Sequence, residues 1–294
     1  MNKSAPVDGF ALAYDRRAAV PASSPRHPVV LLHGWPGDRT DYRLVVPLLD
    51  DGVDAIVPDL RGFGDSDRHR VDPEAHYSAA AQATSIAALI EELGLARPVV
   101  AGYDIGSRIA QKLADDRPEL VGGLVLSPPL PGVGSRVLSP ASEPELWYQG
   151  FHRSGVAATL LDGDVDRLRA YLAHFWDHWS GPDFRIAQPD LDHLVSQYAR
   201  PRAFASSIAW YRTGRGYVAH ALAEQAPAKE NRVAVPTEIL WQEFDPLFPR
   251  AWADRIQEFF GDARVHWADG VGHFTPVEAP RMVADLINQA ARKM

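Results

Sequence analysis

The chain has 294 residues, 46% of them hydrophobic and 23% charged, with a formal net charge of −8 and no cysteine. That length suits one large domain with an insertion and a sizeable core. The negative balance speaks against nucleic acid or an anionic membrane as partner, and the missing cysteine removes disulfides, thiol catalysis and cysteine-based metal sites.

In chain order, Met1 to Pro21 holds no basic stretch leading into an apolar core, and no apolar run reaches the ~20 residues of a membrane helix. The expectation is a soluble cytoplasmic protein. Phe10-Ala11-Leu12-Ala13-Tyr14 predicts an early strand. Val29-Val30-Leu31-Leu32 stops at His33-Gly34, and Ala55-Ile56-Val57 stops at Pro58-Asp59. Val99-Val100-Ala101 ends at Gly102, and Leu124-Val125-Leu126 ends at Ser127-Pro128-Pro129. Short apolar runs cut off by turn residues are the pattern of buried parallel strands. Between them Ser78 can cap a helix whose Ile86, Leu89, Ile90 and Leu93 share a face and which Gly94 ends. A second helix carries Ile109, Leu113 and Ala114 until Pro118 stops it.

From about Pro129 a loop rich in Pro, Gly and Ser gives way to helical segments crowded with aromatics, up to about Tyr217. Asp164 can cap one of these, with Val165, Leu168, Leu172, Phe175, Trp176 and Trp179 at helical spacing. Strand character returns at Thr237-Glu238-Ile239-Leu240-Trp241 and at Arg264-Val265-His266-Trp267. A last helix carries Met282, Val283, Leu286, Ile287 and Ala290. The alternation of strand and helix predicts an α/β fold with a mostly parallel sheet. The expected division is a core over 1–130, an inserted helical cap over 131–220, and the rest of the core over 221–294.

The chemistry starts at Gly102-Tyr103-Asp104-Ile105-Gly106, which joins a strand to a helix with one reactive side chain between glycines. That is the pattern of a nucleophile elbow. The side chain is a carboxylate where a serine would normally stand. A serine attacking an acyl carbon makes an ester. A carboxylate displacing a leaving group from a saturated carbon also makes an ester, which water can then cleave. A serine doing the same would leave an inert ether, so the pattern points to an electrophilic sp³ carbon. After the strand at 237–241 comes Asp245-Pro246, with Glu243 two residues earlier as the alternative acid. After the strand at 264–267 comes Gly270-Val271-Gly272-His273-Phe274. Nucleophile, acid and histidine in this order, each past the carboxyl end of a strand, predict an α/β-hydrolase fold with an eight-stranded, mostly parallel sheet flanked by helices. The loop His33-Gly34-Trp35-Pro36-Gly37 nominates the Trp35 amide, with that of Ile105 after the nucleophile, as an oxyanion hole. Ser127 leaves the alternative acid position after the sixth strand empty. No metal or cofactor is required. His174 and His178, four apart on a predicted helix, lack a third ligand.

These residues resemble epoxide hydrolases of the α/β-hydrolase fold, over nearly the whole chain. His33-Gly34-Trp35-Pro36-Gly37 is similar to their HGxP motif, in which the peptide before the proline is usually cis. Asp59-Leu60-Arg61-Gly62-Phe63-Gly64-Asp65-Ser66 is similar to their loop after the next strand. Two later segments are more specific, Glu145-Leu146-Trp147-Tyr148-Gln149-Gly150-Phe151-His152 and Ala209-Trp210-Tyr211-Arg212. The resemblance implies that Tyr148 and Tyr211 reach down from the cap to hold an epoxide oxygen. It implies Asp104 as nucleophile and His273, oriented by Asp245, as the base that activates water. A small-molecule epoxide and water are then the partners, with Trp35, Trp147 and Trp210 expected to contact an apolar or aryl substrate.

Haloalkane dehalogenases are similar in fold and triad, but place a Trp after the nucleophile and often an Asn after His-Gly. Ile105 and Trp35 stand there instead. Haloacetate dehalogenases are similar in their Gly-x-Asp-x-Gly-x-Arg pattern. Arg108 matches one of their two carboxylate-binding arginines, and Ile105 occupies the place of the other. Dehalogenation is therefore the alternative reading, and Arg108 is otherwise expected to form a structural ion pair beside the elbow. A binding protein that had lost catalysis would lack part of the triad, which is complete.

Overall fold

The computed structural model describes residues 1–21, 24 and 26–293. Its strands are β1 (Asn2–Lys3), β2 (Ala13–Arg17), β3 (Val29–Leu32), β4 (Ala55–Pro58), β5 (Val99–Gly102), β6 (Gly123–Leu126), β7 (Thr237–Gln242) and β8 (Ala263–Ala268). They form one sheet in the order β1-β2-β4-β3-β5-β6-β7-β8. The pairs β1–β2 and β2–β4 are antiparallel and all others are parallel. Every residue of β3, β4, β5 and β6 is buried, as uniformly apolar runs in a covered parallel sheet must be.

The early strand differs from expectation. It begins at Ala13 rather than Phe10 and runs on to Arg17. Phe10 is held instead by a bridge to Val7, by edge contacts to Tyr77 and His69, and by the Arg61 guanidinium 4.9 Å above its ring. These side-chain contacts outweigh the strand pattern. The two-residue β1 had no apolar run to announce it.

Capping follows the residues closely. The Ser78 side chain accepts from Ala81 N–H at the start of the helix Ala79–Glu92, and Gly94 beyond its end has a φ of +62°. The Asp164 side chain accepts from Arg167 N–H at the start of the helix Val165–Trp179. That helix buries Leu168, Leu172, Phe175, Trp176 and Trp179, whereas Val165 in its first turn stays exposed. Burying the leucines and the phenylalanine contributes about 1.5–3 kcal/mol each. Trp176 stacks on Phe274 and donates its indole N–H to the Pro36 carbonyl at 3.2 Å. One helix therefore ties the loop after β3 to the loop after β8. Between β6 and β7 the described residues form helices and turns, with no strand. No helix among the described residues is long and apolar enough to cross a membrane.

Candidate active site

The site lies at the carboxyl ends of β3, β5, β7 and β8. β5 ends at Gly102, and Asp104 caps the helix Ile105–Asp116 with φ 50° and ψ −127°. A non-glycine residue held there costs about 1–3 kcal/mol, which the surrounding packing must offset. The close approach of strand and helix explains the flanking glycines. A Cβ on Gly106 would meet the Leu32 carbonyl oxygen at 2.2 Å, and one on Gly102 would meet Gly106 at 2.5 Å. Gly106→Ala is therefore expected to lower stability by roughly 1–3 kcal/mol, although alanine is ordinarily the better helix residue. A urea midpoint unchanged or raised in that variant would contradict this packing.

His273 is completely buried, and its Nδ1 lies 2.8 Å from Asp245 Oδ2. Asp245 also accepts from Leu247 N–H at 2.9 Å and from Gln242 Nε2 at 3.2 Å, so its position is set from three sides. Glu243, the other acid considered, is exposed and accepts from Gly270 N–H instead. His273 Nε2 lies 3.4 Å from Asp104 Oδ2, an ion-pair distance too long for a well-made hydrogen bond. Burial opposes a charge on His273, but the carboxylates of Asp245 and Asp104 outweigh it and raise the imidazole pKa to about 10. The resting histidine is thus an imidazolium between two carboxylates.

Asp104 Oδ1 accepts from the Trp35 amide at 2.8 Å. Ile105 opens the following helix, where first-turn N–H groups have no partner within the helix. The turn that presents Trp35 is held by His33. Leu60 N–H donates to its Nε2 at 3.1 Å, so its Nδ1–H donates to the Gly34 carbonyl at 2.9 Å. Burial, the largest influence on His33, pushes its pKa down and keeps it neutral. The Trp35–Pro36 peptide is cis, as is Pro128–Pro129.

Above Asp104 a cleft of about 260 Å³ is lined by Tyr148, Tyr211, Trp210, Ile105, Leu247 and Phe248 among others. Tyr148 sits on the helix Trp147–Arg153 and Tyr211 in the turn Ile208–Arg212, their rings 5.6 Å apart and edge to face. Arg153 donates to the Tyr211 carbonyl and Arg212 to the His152 carbonyl, which fastens the two segments together. Among the described residues neither phenol donates to a protein acceptor; Tyr148 only accepts a long bond from Gln149. Burial first, then negative charge on Asp104, holds Tyr148 well above the usual phenol range. Burial, then the neighbouring Tyr148, does the same for Tyr211. Both stay protonated donors at any ordinary pH.

Other expected residues fall elsewhere. Trp35 is fully buried beneath the tyrosines, stacked on Tyr148 at 6.0 Å, and forms a floor behind the cleft rather than its lining. Trp147 is 49% exposed, packs against Phe175 and stands outside the lining, because the helix turns its neighbour Tyr148 inward instead. His174 and His178 stack on each other, and His178 pairs with Glu145. Among the described residues no group of three or more His, Cys, Asp or Glu could hold a metal ion. Ser127 shares a hydrogen bond with Thr275. Arg108 corrects the expectation of a structural ion pair: it lines the cleft, and among the described residues no side-chain hydrogen bond or carboxylate within 4.0 Å holds its guanidinium.

Sequence reasoning missed Glu278. Its carboxylate accepts from the N–H groups of Gly181, Gly272 and Phe274, which clamps the loop carrying His273. A glutamate three residues past the Phe274-Thr275 turn was the only trace of it. Gln242, buried at the end of β7, was likewise passed over as a strand residue.

Residues 27–280 match a family model described as alpha/beta hydrolase fold, and the chain belongs to that family. The similar proteins narrow the comparison. The soluble epoxide hydrolase of Corynebacterium sp. (strain C12) is 29% identical over 267 residues, covering 88% of each chain. A solved structure of the epoxide hydrolase CorEH without ligand superposes with a TM-score of 0.81 at 25% identity, over 98% of this chain and 96% of that one. Lipase 3 of Moraxella sp. (strain TA144) is also similar, 25% identical over 263 residues, 88% of this chain and 75% of that protein. One fold serves different chemistries, so the site must decide.

Proposed function

We propose that this protein hydrolyses an epoxide to a vicinal diol through a covalent ester on Asp104. The observation that carries the reading is a carboxylate at the elbow, 3.4 Å from His273 and facing a cleft lined by two tyrosines with undonated phenols. The similarity to epoxide hydrolases supports it. On this reading residues 131–220 act as the cap, and Asp104, His273 and Asp245 form the triad.

In the first step one Asp104 oxygen attacks an epoxide carbon and the ring C–O bond breaks. The departing alkoxide is a poor leaving group, so the phenols of Tyr148 and Tyr211 stabilise it and one supplies a proton. Alkylation also removes the Asp104 charge. One of the two carboxylates that keep His273 protonated is gone, its pKa falls, and its proton makes good the one the phenol gave up. His273 is then a free base when a base is needed. It takes a proton from water, which adds to the Asp104 ester carbonyl, with the Trp35 and Ile105 amides receiving the oxyanion. The ester C–O bond breaks, the departing alkoxide takes the proton of the added hydroxyl and leaves as the diol, and imidazolium again sits between two carboxylates. The sum is epoxide plus water to diol.

Changing Tyr148 and Tyr211 together to Phe is expected to slow ring opening by about 10⁴-fold or more, each single change by roughly 10²-fold. Rapid-quench measurement of ester formation checks this. Unaltered rates in the double variant would remove the tyrosines from the mechanism. Halide release from chloroalkanes without any diol from epoxides would favour the dehalogenase alternative, for which Ile105 offers no halide donor.

A further inference from the structure

We infer that the epoxide this cleft takes carries a carboxylate, received by the Arg108 guanidinium and the Tyr217 hydroxyl. The inference rests on the epoxide-hydrolase reading and narrows it to a substrate class.

Arg108 lies one helical turn beyond Asp104 and lines the same cleft as the nucleophile and the two tyrosines. It is half-buried, yet among the described residues its guanidinium has no hydrogen bond and no ion pair. Elsewhere the chain pairs its arginines freely. Arg39, Arg43, Arg61, Arg200 and Arg255 each meet a carboxylate. A guanidinium withdrawn from water without a partner is unfavourable, and a built site for an anion accounts for it.

Tyr217 gives the second, independent observation. It lines the cleft, and its hydroxyl is buried with no hydrogen-bond partner among the described residues. Burial holds that phenol above its ordinary range while the Arg108 charge pulls the other way, and both residues line the same cleft. A guanidinium and a neutral O–H lining one cleft form a two-donor receptor for a carboxylate. Nearby His220 is held down at about 4, by burial and then by Arg108, so it adds no charge at neutral pH.

The charge distribution points the same way. The chain as a whole carries −8, which repels an anion. The lining of the cleft runs against this: among the described residues Asp104 is its one carboxylate, while Arg108 and the exposed Arg215 are cations. Serving only to keep Asp104 ionised would not explain the unpaired Tyr217 hydroxyl, and no ion pair joins Arg108 to Asp104.

The test compares glycidate and 3-phenylglycidate with their matching amides, which keep the epoxide and lose the charge. In the wild-type protein kcat/KM is expected to favour the acids by about 10-fold or more. In Arg108→Gln that preference should fall to near parity, a loss of roughly 10-fold, chiefly through KM for the acids, and in Tyr217→Phe by roughly 5-fold. Because each variant is scored by its own acid-to-amide ratio, a general loss of folded protein cancels. Equal use of acid and amide by the wild type would overturn the inference and leave the epoxide reading intact. A preference that survives Arg108→Gln would overturn the residue assignment. No diol from any probe, with chloride released from chloroacetate, would overturn the epoxide reading and this inference with it.

Discussion

Asp104→Ala is expected to abolish diol formation, lowering kcat/KM by at least about 10⁴-fold while the fold persists. The loss is large because the carboxylate is the reacting group itself, and no neighbour can take its place. Asp245 is committed to His273, Leu247 and Gln242, and it lies on the far side of the imidazole from the substrate. The fold should tolerate the change. Alanine keeps the Asp104 Cβ that packs against Gly34, and the glycines that allow the elbow's tight approach are unchanged. Removing Asp104 also takes one of the two charges from His273, so its pKa should fall, and NMR titration of the imidazole reads this directly. Substantial residual ring opening in a folded Asp104→Ala protein would sink the nucleophile assignment.

His273→Ala separates the two half-reactions. Asp104 is itself the attacking group and the imidazole acts only on the ester, so alkylation should proceed and stop after roughly one equivalent of epoxide is consumed. Intact-protein mass spectrometry should then show one substrate mass added, and peptide mapping should place it on Asp104. Steady-state turnover should fall by about 10³-fold or more, since hydrolysis of the ester loses its base. His273 is fully buried and its backbone N–H donates to the Trp179 carbonyl at 2.8 Å, so the loop has support besides the side chain. An unmodified mass after long exposure to an epoxide that the wild type turns over would count against a covalent route.

Much of this was legible before any coordinates, for definite reasons. Strand ends could be read because buried parallel strands have no polar face, so His33, Pro58, Gly102 and Ser127 interrupt them visibly. Ser78 and Asp164 could be read because a helix start needs an acceptor for its free N–H groups, and both supply one. Asp104 announced itself because glycines on either side of one reactive residue have few other uses. What stayed hidden depends on direction and partnership in space. Adjacent helical residues point about 100° apart, so Trp147 faces outward where Tyr148 faces the cleft. The pattern around Phe10 reads as strand, but distant Tyr77 and Arg61 decide its place. Arg108 looked like one half of an ion pair; only the arrangement of the chain shows that no carboxylate among the described residues comes to meet it.

The route of oxygen tests the central claim most directly. With enzyme in excess over epoxide, in water enriched in ¹⁸O, a single turnover should yield diol free of the heavy isotope. The oxygen added to the substrate comes from the Asp104 carboxylate, and the label should appear in the peptide containing Asp104. Label found in the diol on that first turnover, with none in the enzyme, would mean that water attacks the epoxide itself and that no ester forms.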